Sequence, residues 1–321
     1  MATHNFVDND GQLKTFKTFP EFSKLTLADK SVYEALIKDY PPISEISFPT
    51  LMLWWNQLDM LAVSLLDGNL VISYWLPGDE LRSGLSIMGT TRIDLAICTI
   101  FDYLQEKGEA PRLVHVPEFV MQHMEHPELF SYENERNLDE YLLPLSKFYP
   151  LQHIIALRRH RIRRFLSRID EEQIVVRSLD LSQKENQRLL LDAAATWPQK
   201  GTLNAAPQLA RDALQGAVGN AEVLGTENMC LYIGGTLHAF LLYHLPADRR
   251  YAILSNARLS YGLPFLFDYM VYAFARHFHE LDISYINLDV DYGVPMMRMI
   301  RLALGPSNFF RKYTIEPARG R

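Results

Sequence analysis

Cysteine is nearly absent. Cys98 and Cys230 are the only two in 321 residues, too few for a disulfide framework. Cys98 sits among Ile93, Ala96, Ile97, Ile100 and Phe101, the setting of a buried thiol rather than of half a disulfide, and a reducing cytoplasm is the expected compartment. No apolar run approaches the roughly 18–20 residues needed to span a bilayer. The most apolar stretch, Met229 to Leu245, is interrupted by Gly234-Gly235, Thr236, His238 and His244, which suits paired strands. Met1 to Gln12 is polar and carries no signal-peptide pattern. Net charge is −6, which excludes a generic nucleic-acid coat. There is no Gly-x-Ser-x-Gly elbow and no Walker loop. His123-Met124-Glu125-His126 lacks the i, i+4 histidine spacing of a zinc helix, and His277 and His279 only straddle Phe278, so no metal is expected.

The composition that remains is that of an ordinary globular protein, 48% hydrophobic and 22% charged. The length exceeds what one core usually serves, so two domains are expected. Thr26 to Asp29 reads as a capping box opening a helix that ends before Pro41-Pro42, and a short aromatic helix follows over Leu51 to Gln57. Asp67-Gly68 between two apolar runs predicts a hairpin. A strand over Gly84 to Met88, a helix from Thr91 to Gly108, a strand over Leu113 to Val116 and a helix starting at Pro117 complete the first half.

The second half repeats that order. A strand over Ile174 to Leu179 and helices over Ser182 to Ala195 and Pro207 to Gln215 lead into a hairpin turning at Gly234-Gly235. A strand over Tyr251 to Asn256, a helix over Pro264 to Phe278, a strand over Ile283 to Asp289, a helix over Val294 to Leu304 and a strand over Phe309 to Ile315 follow. The fold class is α+β with mixed sheets. The expected junction falls near Ser146 to Leu151, giving domains 1–148 and 149–321.

Three segments carry chemistry. In Ile286-Asn287-Leu288-Asp289-Val290-Asp291-Tyr292-Gly293, strand alternation sends Asn287, Asp289 and Asp291 to one face and Ile286, Leu288 and Val290 to the core. Two acids side by side repel, so they bind a cation or raise one pKa for base chemistry; alternatively Asp291 caps the following helix. On that helix Arg298 and Arg301 share a side and are free to pair with the acids or to hold a phosphate or carboxylate. The third segment, Leu157 to Phe165, concentrates arginine. Arg161, Arg164 and Arg168 share a flank, whereas Arg158 falls within the stripe of Ile155, Ile162 and Phe165, where an unpaired charge is costly.

These segments resemble the C-terminal domain family of phosphatidylglycerol lysyltransferase. The similarity rests on Asn287, Asp289, Asp291, Gly293, Met297-Arg298, Arg301, Pro306 and Lys312-Tyr313, and on the basic run Arg158 to Phe165. Asp289, Arg301 and His160 stand where the family usually has Glu, Lys and Asn. The resemblance implies a tandem pair of GNAT-like acyltransferase domains, whose central strands splay to admit an acyl donor. It implies transfer of an aminoacyl group from charged tRNA to an amine or hydroxyl acceptor, either a lipid headgroup or a small molecule, with no cofactor. On this reading Asp289 or Asp291 holds the ammonium or acts as base. Arg298, Arg301 and Lys312 bind phosphate or a developing oxyanion, Asn287 lines the site, and Arg158 and Arg159 grip the tRNA terminus. Two other readings stand beside it, an acyl-CoA-dependent N-acyltransferase and a non-catalytic ligand-binding pair. The nearest acyl-CoA loop, Arg258 to Pro264, has shifted spacing and a proline.

Overall fold

The computed structural model describes residues 16–55, 61–76, 82–197 and 207–318. The polar stretch Met1 to Gln12 and the end of the aromatic helix at Gln57 lie outside them. From the N-terminus run β1 (Ser23–Lys24), α1 (Lys30–Ile37), the single turn α2 (Phe48–Thr50), β2 (Ala62–Leu66), β3 (Asn69–Leu76) and β4 (Arg82–Met88). Next come α3 (Ile93–Glu106), β5 (Leu113–Pro117), α4 (Glu118–Met121), β6 (Phe130–Asn134) and β7 (Glu140–Pro144). The second half holds α5 (Ala156–Leu166), β8 (Ile174–Arg177), α6 (Lys184–Thr196), α7 (Pro207–Gly219), α8 (Ala221–Leu224), β9 (Glu227–Ile233), β10 (Thr236–His244) and β11 (Tyr251–Leu259). It ends with α9 (Leu266–Glu280), β12 (Tyr285–Val290), α10 (Pro295–Leu304), β13 (Asn308–Phe310) and β14 (Lys312–Pro317). Residues 51–55 form a π-helical turn.

Local chemistry explains most of these choices. Asp67 and Gly68 both take positive φ, +50° and +83°, as do Gly234 and Gly235 at +56° and +81°. Those are the mirror-image turns whose twist matches a tight hairpin, and they join β2 to β3 and β9 to β10. In α3 the buried side chains are Ile93, Ala96, Ile97, Ile100, Phe101 and Leu104, one stripe at helical spacing. In α9 the equivalent stripe runs through Leu266, Tyr269, Met270, Ala273, Phe274 and Phe278.

Each compact unit is built on its own seven-stranded mixed sheet. The first has the order β1-β2-β3-β4-β5-β14-β6, the second β13-β7-β12-β11-β10-β9-β8. The units comprise residues 1–41, 50–139 and 310–321 in one case, and 42–49 and 140–309 in the other. A single division between 148 and 149, expected from the sequence, differs from this partition. The reason lies in two strands. β7 precedes that point yet pairs with β12 in the second sheet, and β14 follows it yet pairs with β5 and β6 in the first. The one strand anticipated over Phe309 to Ile315 is two, β13 and β14, split at Arg311.

The second sheet opens where the site forms. β11 and β12 are parallel and pair only over Tyr251↔Tyr285, Ala252↔Ile286 and Ile253↔Asn287. Beyond that point β11 stays with β10 as far as Leu259, while β12 stays with β7 through a bulge. The two strands therefore diverge as a V.

Because β14 lies between β5 and β6, ending the chain at Arg311 removes an interior strand of the first sheet. Hydrogen exchange is expected to show loss of protection at Leu113–Pro117 and Phe130–Asn134, with β9 to β11 still protected. Unchanged exchange at β5 and β6 would contradict the pairing.

Candidate functional site

The diverging end of β12 carries the polar residues. Ile286 and Leu288 point into the core as alternation requires, but Asp289 adopts φ +64° and the register against β7 shifts between Asn287 and Val290. The Asp289 amide donates to Asn287 Oδ1 at 2.9 Å, closing a small turn that a short polar side chain tolerates. Asn287 is fully buried and donates through Nδ2 to the Pro42 carbonyl at 3.0 Å and to the Glu140 carboxylate. Glu140, also fully buried, accepts the backbone N–H groups of Ser44 at 2.7 Å and Glu45 at 3.2 Å. Asn287 and Glu140 thus form a knot that ties 42–49 to the end of the strand.

Asp291 is completely enclosed. Arg298 grips it from α10 through Nε at 2.7 Å and Nη2 at 2.8 Å, the Gly293 amide donates at 2.8 Å, and the Tyr141 hydroxyl donates to Oδ2. Burial pushes the Asp291 carboxyl upward, but the bonds from Arg298, Tyr141 and Gly293 outweigh it and hold the group below its ordinary value. The same pairing raises the Arg298 guanidinium above its ordinary value.

Arg301, one turn further along α10, is arranged differently. Its guanidinium lies 5.7 Å from the centre of the Tyr141 ring, and its Nη1 is buried with no hydrogen-bond partner among the described residues. Burial lowers its pKa, against the raising effect of Asp289 first and of Tyr292 and Asp291 after it. Tyr292 is pushed well above the usual phenol range, by burial first and then by the charges of Asp289 and Glu45. Asp289, half-buried, therefore stands within electrostatic reach of Arg301 and Tyr292.

Under the open V lies a cavity of about 170 Å³. Leu254 and Ala257 of β11, Leu288 of β12 and Met270 and Phe274 of α9 contribute to its wall, and Arg301 is the one charged residue there. No group of three or more His, Cys, Asp or Glu side chains able to hold a metal occurs among the described residues.

The structure thus gathers Asn287, Asp289, Asp291, Arg298 and Arg301 in the second unit. The other expected residues are Lys312, Arg158 and Arg159. Lys312 belongs to the first unit, fully buried in β14, where its ammonium donates to the Leu138 carbonyl at 2.8 Å. Arg158 is buried on α5, with Nε 3.1 Å from Asp268, Nη2 3.4 Å from the Ala303 carbonyl and its guanidinium 4.8 Å from the Phe148 ring centre. Burial lowers its pKa and Asp268 acts against that. Arg159 donates to the Gln152 carbonyl at 3.3 Å. Ile155, expected in the apolar stripe of that helix, is exposed at its N-cap. Tyr141, Glu140 and Tyr292 were not anticipated. The first two sit on β7, five residues ending in proline, too short to show a period.

The comparisons with known proteins agree on this architecture. The family described as phosphatidylglycerol lysyltransferase, C-terminal, matches residues 44–304. The chain belongs to that family. Its fold is shared with a conserved protein of unknown function from Bacteroides thetaiotaomicron (TM-score 0.76, 20% identity, 92% of this chain and 99% of that one). It is shared too with L-PGS from Bacillus licheniformis (TM-score 0.62, 14% identity, 95% and 94%), and with FemX (TM-score 0.58, 11% identity, 93% and 97%). Both units are GNAT-like, in tandem. A search of curated proteins gave no match. Among the described residues no helix is long and apolar enough to cross a membrane.

Asp291→Asn leaves Arg298 facing a neutral amide, so unfolding by urea at pH 7 is expected to show a loss of about 3 kcal/mol. The folded carboxyl titrates below its unfolded value of about 3.9, so its contribution is complete above that pH and disappears as pH falls through the folded value. The gap between wild type and variant should therefore close below about pH 4. A gap that is absent at pH 7, or that persists unchanged in acid, would contradict the assignment.

Proposed function

We propose that the protein transfers an aminoacyl group from charged tRNA to an amine or hydroxyl acceptor, a lipid headgroup or a small molecule. Family membership supports the reaction class. The observation that carries the reading is Arg301, a buried guanidinium whose Nη1 has no hydrogen-bond partner among the described residues and which lies within electrostatic reach of Asp289. An aminoacyl ester presents an α-ammonium and a carbonyl two bonds apart, and this pair offers one partner to each.

The ester is already activated, so positioning and charge stabilisation suffice. The acceptor's nitrogen or oxygen bonds to the carbonyl carbon, the electron pair of the C=O moves onto oxygen, and Arg301 meets that oxyanion. Collapse breaks the bond to the tRNA ribose, and the acceptor's proton ends on the departing ribose oxygen. Asp289 holds the ammonium throughout. Asp291 takes the role of anchor: held below its ordinary pKa, it is a weak base near neutrality, and its bonds fix Arg298 and the start of α10.

The exposed Arg161 and Arg164 of α5, with Arg168 just past its end, supply phosphate contacts for the tRNA terminus. Arg158, turned inward onto Asp268, orients that helix rather than touching nucleic acid. The cytoplasm, where charged tRNA is made, is the compartment this chemistry requires.

Asp289→Asn is expected to lower kcat/KM for aminoacyl transfer by about 100-fold, as removal of one partner of a charge pair does. Its urea midpoint should stay near that of wild type. Transfer from tRNA charged with a radiolabelled amino acid, scored against a polar-lipid extract and a panel of soluble amines, measures it. Full activity in the variant would remove Asp289 from the reaction.

A further inference from the structure

Helix α10 is built inside out. Its two charged residues turn toward the protein: Arg298 holds Asp291 at 2.7 Å, and Arg301 forms part of the cavity wall. Its exposed residues are Pro295, Met296, Met299, Ile300, Leu302 and Ala303, and every one of them is apolar. Met296, Met299, Ile300 and Ala303 follow the i, i+3, i+4, i+7 spacing of one stripe, with Leu302 beside it. A surface helix ordinarily buries such a stripe and leaves its arginines in water.

Single exposed apolar side chains need no explanation, but a contiguous group marks an interaction site. Ile155 and Leu157 at the start of α5 extend this one. Both are exposed, and Arg158 between them reaches the Ala303 carbonyl with Nη2 at 3.4 Å, which brings the start of α5 to the end of α10.

Size and charge decide what covers the face. Ten residues of helix make a face about 15 Å long and 10 Å wide. That is far short of the roughly 800 Å² that each partner gives to a stable protein–protein interface. A lipid bilayer sets no such minimum, since each side chain enters the interface separately and basic residues add to the hold. The surroundings are basic. Lys147 donates to the Gly305 carbonyl at the end of α10, and from Tyr141 to Ile169 the chain carries Lys147 and six arginines with no acid. A second copy seated face to face would bring two such segments together against like-charge repulsion, whereas anionic headgroups are attracted. Methionine suits a fluid partner because its unbranched thioether chain adapts to irregular surroundings. On α5, helical spacing places Arg159 and Arg163 on the flank opposite Arg161, Arg164 and Arg168, so headgroups and tRNA phosphates meet different side chains.

We propose that the apolar face of α10, with Ile155 and Leu157, docks on the surface of an anionic lipid bilayer. Its side chains enter the headgroup boundary, and Lys147, Arg159 and Arg163 meet lipid phosphates. Docking of this kind goes beyond aminoacyl transfer and requires neither donor nor acceptor.

The test is cosedimentation of the full chain, without tRNA, with vesicles of phosphatidylcholine alone and of phosphatidylcholine mixed with phosphatidylserine. Binding to the mixed vesicles is expected to be about ten-fold stronger, as a few basic residues near a charged surface imply, and to lose that advantage at high salt. Met299 and Leu302 are 58% and 46% exposed, so Met299→Gln with Leu302→Gln should keep the helical circular dichroism of the wild type. Binding of that variant to mixed vesicles should fall about 30-fold, as the loss of two inserted apolar side chains implies. Lys147→Gln with Arg163→Gln should instead abolish the preference for mixed vesicles. Wild type left in the supernatant with both vesicles would overturn the proposal, as would unchanged binding in the methionine and leucine variant. A dimer in sedimentation velocity that this variant converts to monomer, with no vesicle binding, would assign the face to a second copy instead. Vesicle binding without any transfer from charged tRNA would refute the aminoacyl donor and leave the docking face standing. Transfer to a soluble amine with no vesicle binding would do the reverse.

Discussion

A single buried carboxylate organises the open end of the second unit. Asp291 is fully enclosed at the point where β12 stops, and it stays charged because Arg298, Tyr141 and the Gly293 amide surround it. Those bonds reach three elements: the strand end, α10 through Arg298 and β7 through Tyr141. Once α10 is fixed against β12 in this way, Arg301, one turn on, has its place set as well. The guanidinium that answers the acid is spent on structure. The one beside it keeps a donor in reserve.

The division of labour follows from solvation. Two acids and two arginines at similar spacing look alike as sequence, yet burial and partners separate them. Asp291 is saturated with donors and held below its ordinary value. Asp289, carried out of the strand's alternation by its positive φ, lies beside an arginine whose pKa burial lowers. The divergence of β11 from β12 after three paired residues provides the space that this second pair faces. Sheet geometry makes the opening, and the positive φ and register shift at Asp289 take it out of the strand's alternation within electrostatic reach of Arg301.

Much of this was legible in the residues. The glycine turns, the apolar stripes of α3 and α9 and the order of hairpin, strand and helix in each half are local signals, and local signals survive folding. The Asn287-to-Gly293 strand end and Arg298 with Arg301 also announced themselves, because clustered charge beside a strand is rarely idle. What stayed hidden is nonlocal. Nothing in Glu140 to Pro144 says that it joins the second sheet, nor in Lys312 to Pro317 that it returns to the first. Lys312, grouped by sequence with Arg298 and Arg301, stands on a strand whose neighbours are β5 and β6. Arg158 was readable as an arginine needing a counter-charge, but Asp268 lies 110 residues away.

The central claim is that the second unit recognises an aminoacyl ester on the end of a tRNA. The most direct measurement is equilibrium binding of one tRNA in two forms, aminoacylated and uncharged, at the same moderate salt concentration. The account predicts that the charged form binds at least ten times more tightly, because only it brings an ammonium to Asp289 and an ester carbonyl to Arg301. Equal affinity for the two forms would mean that the arginines of α5 see only phosphate, and would contradict the account.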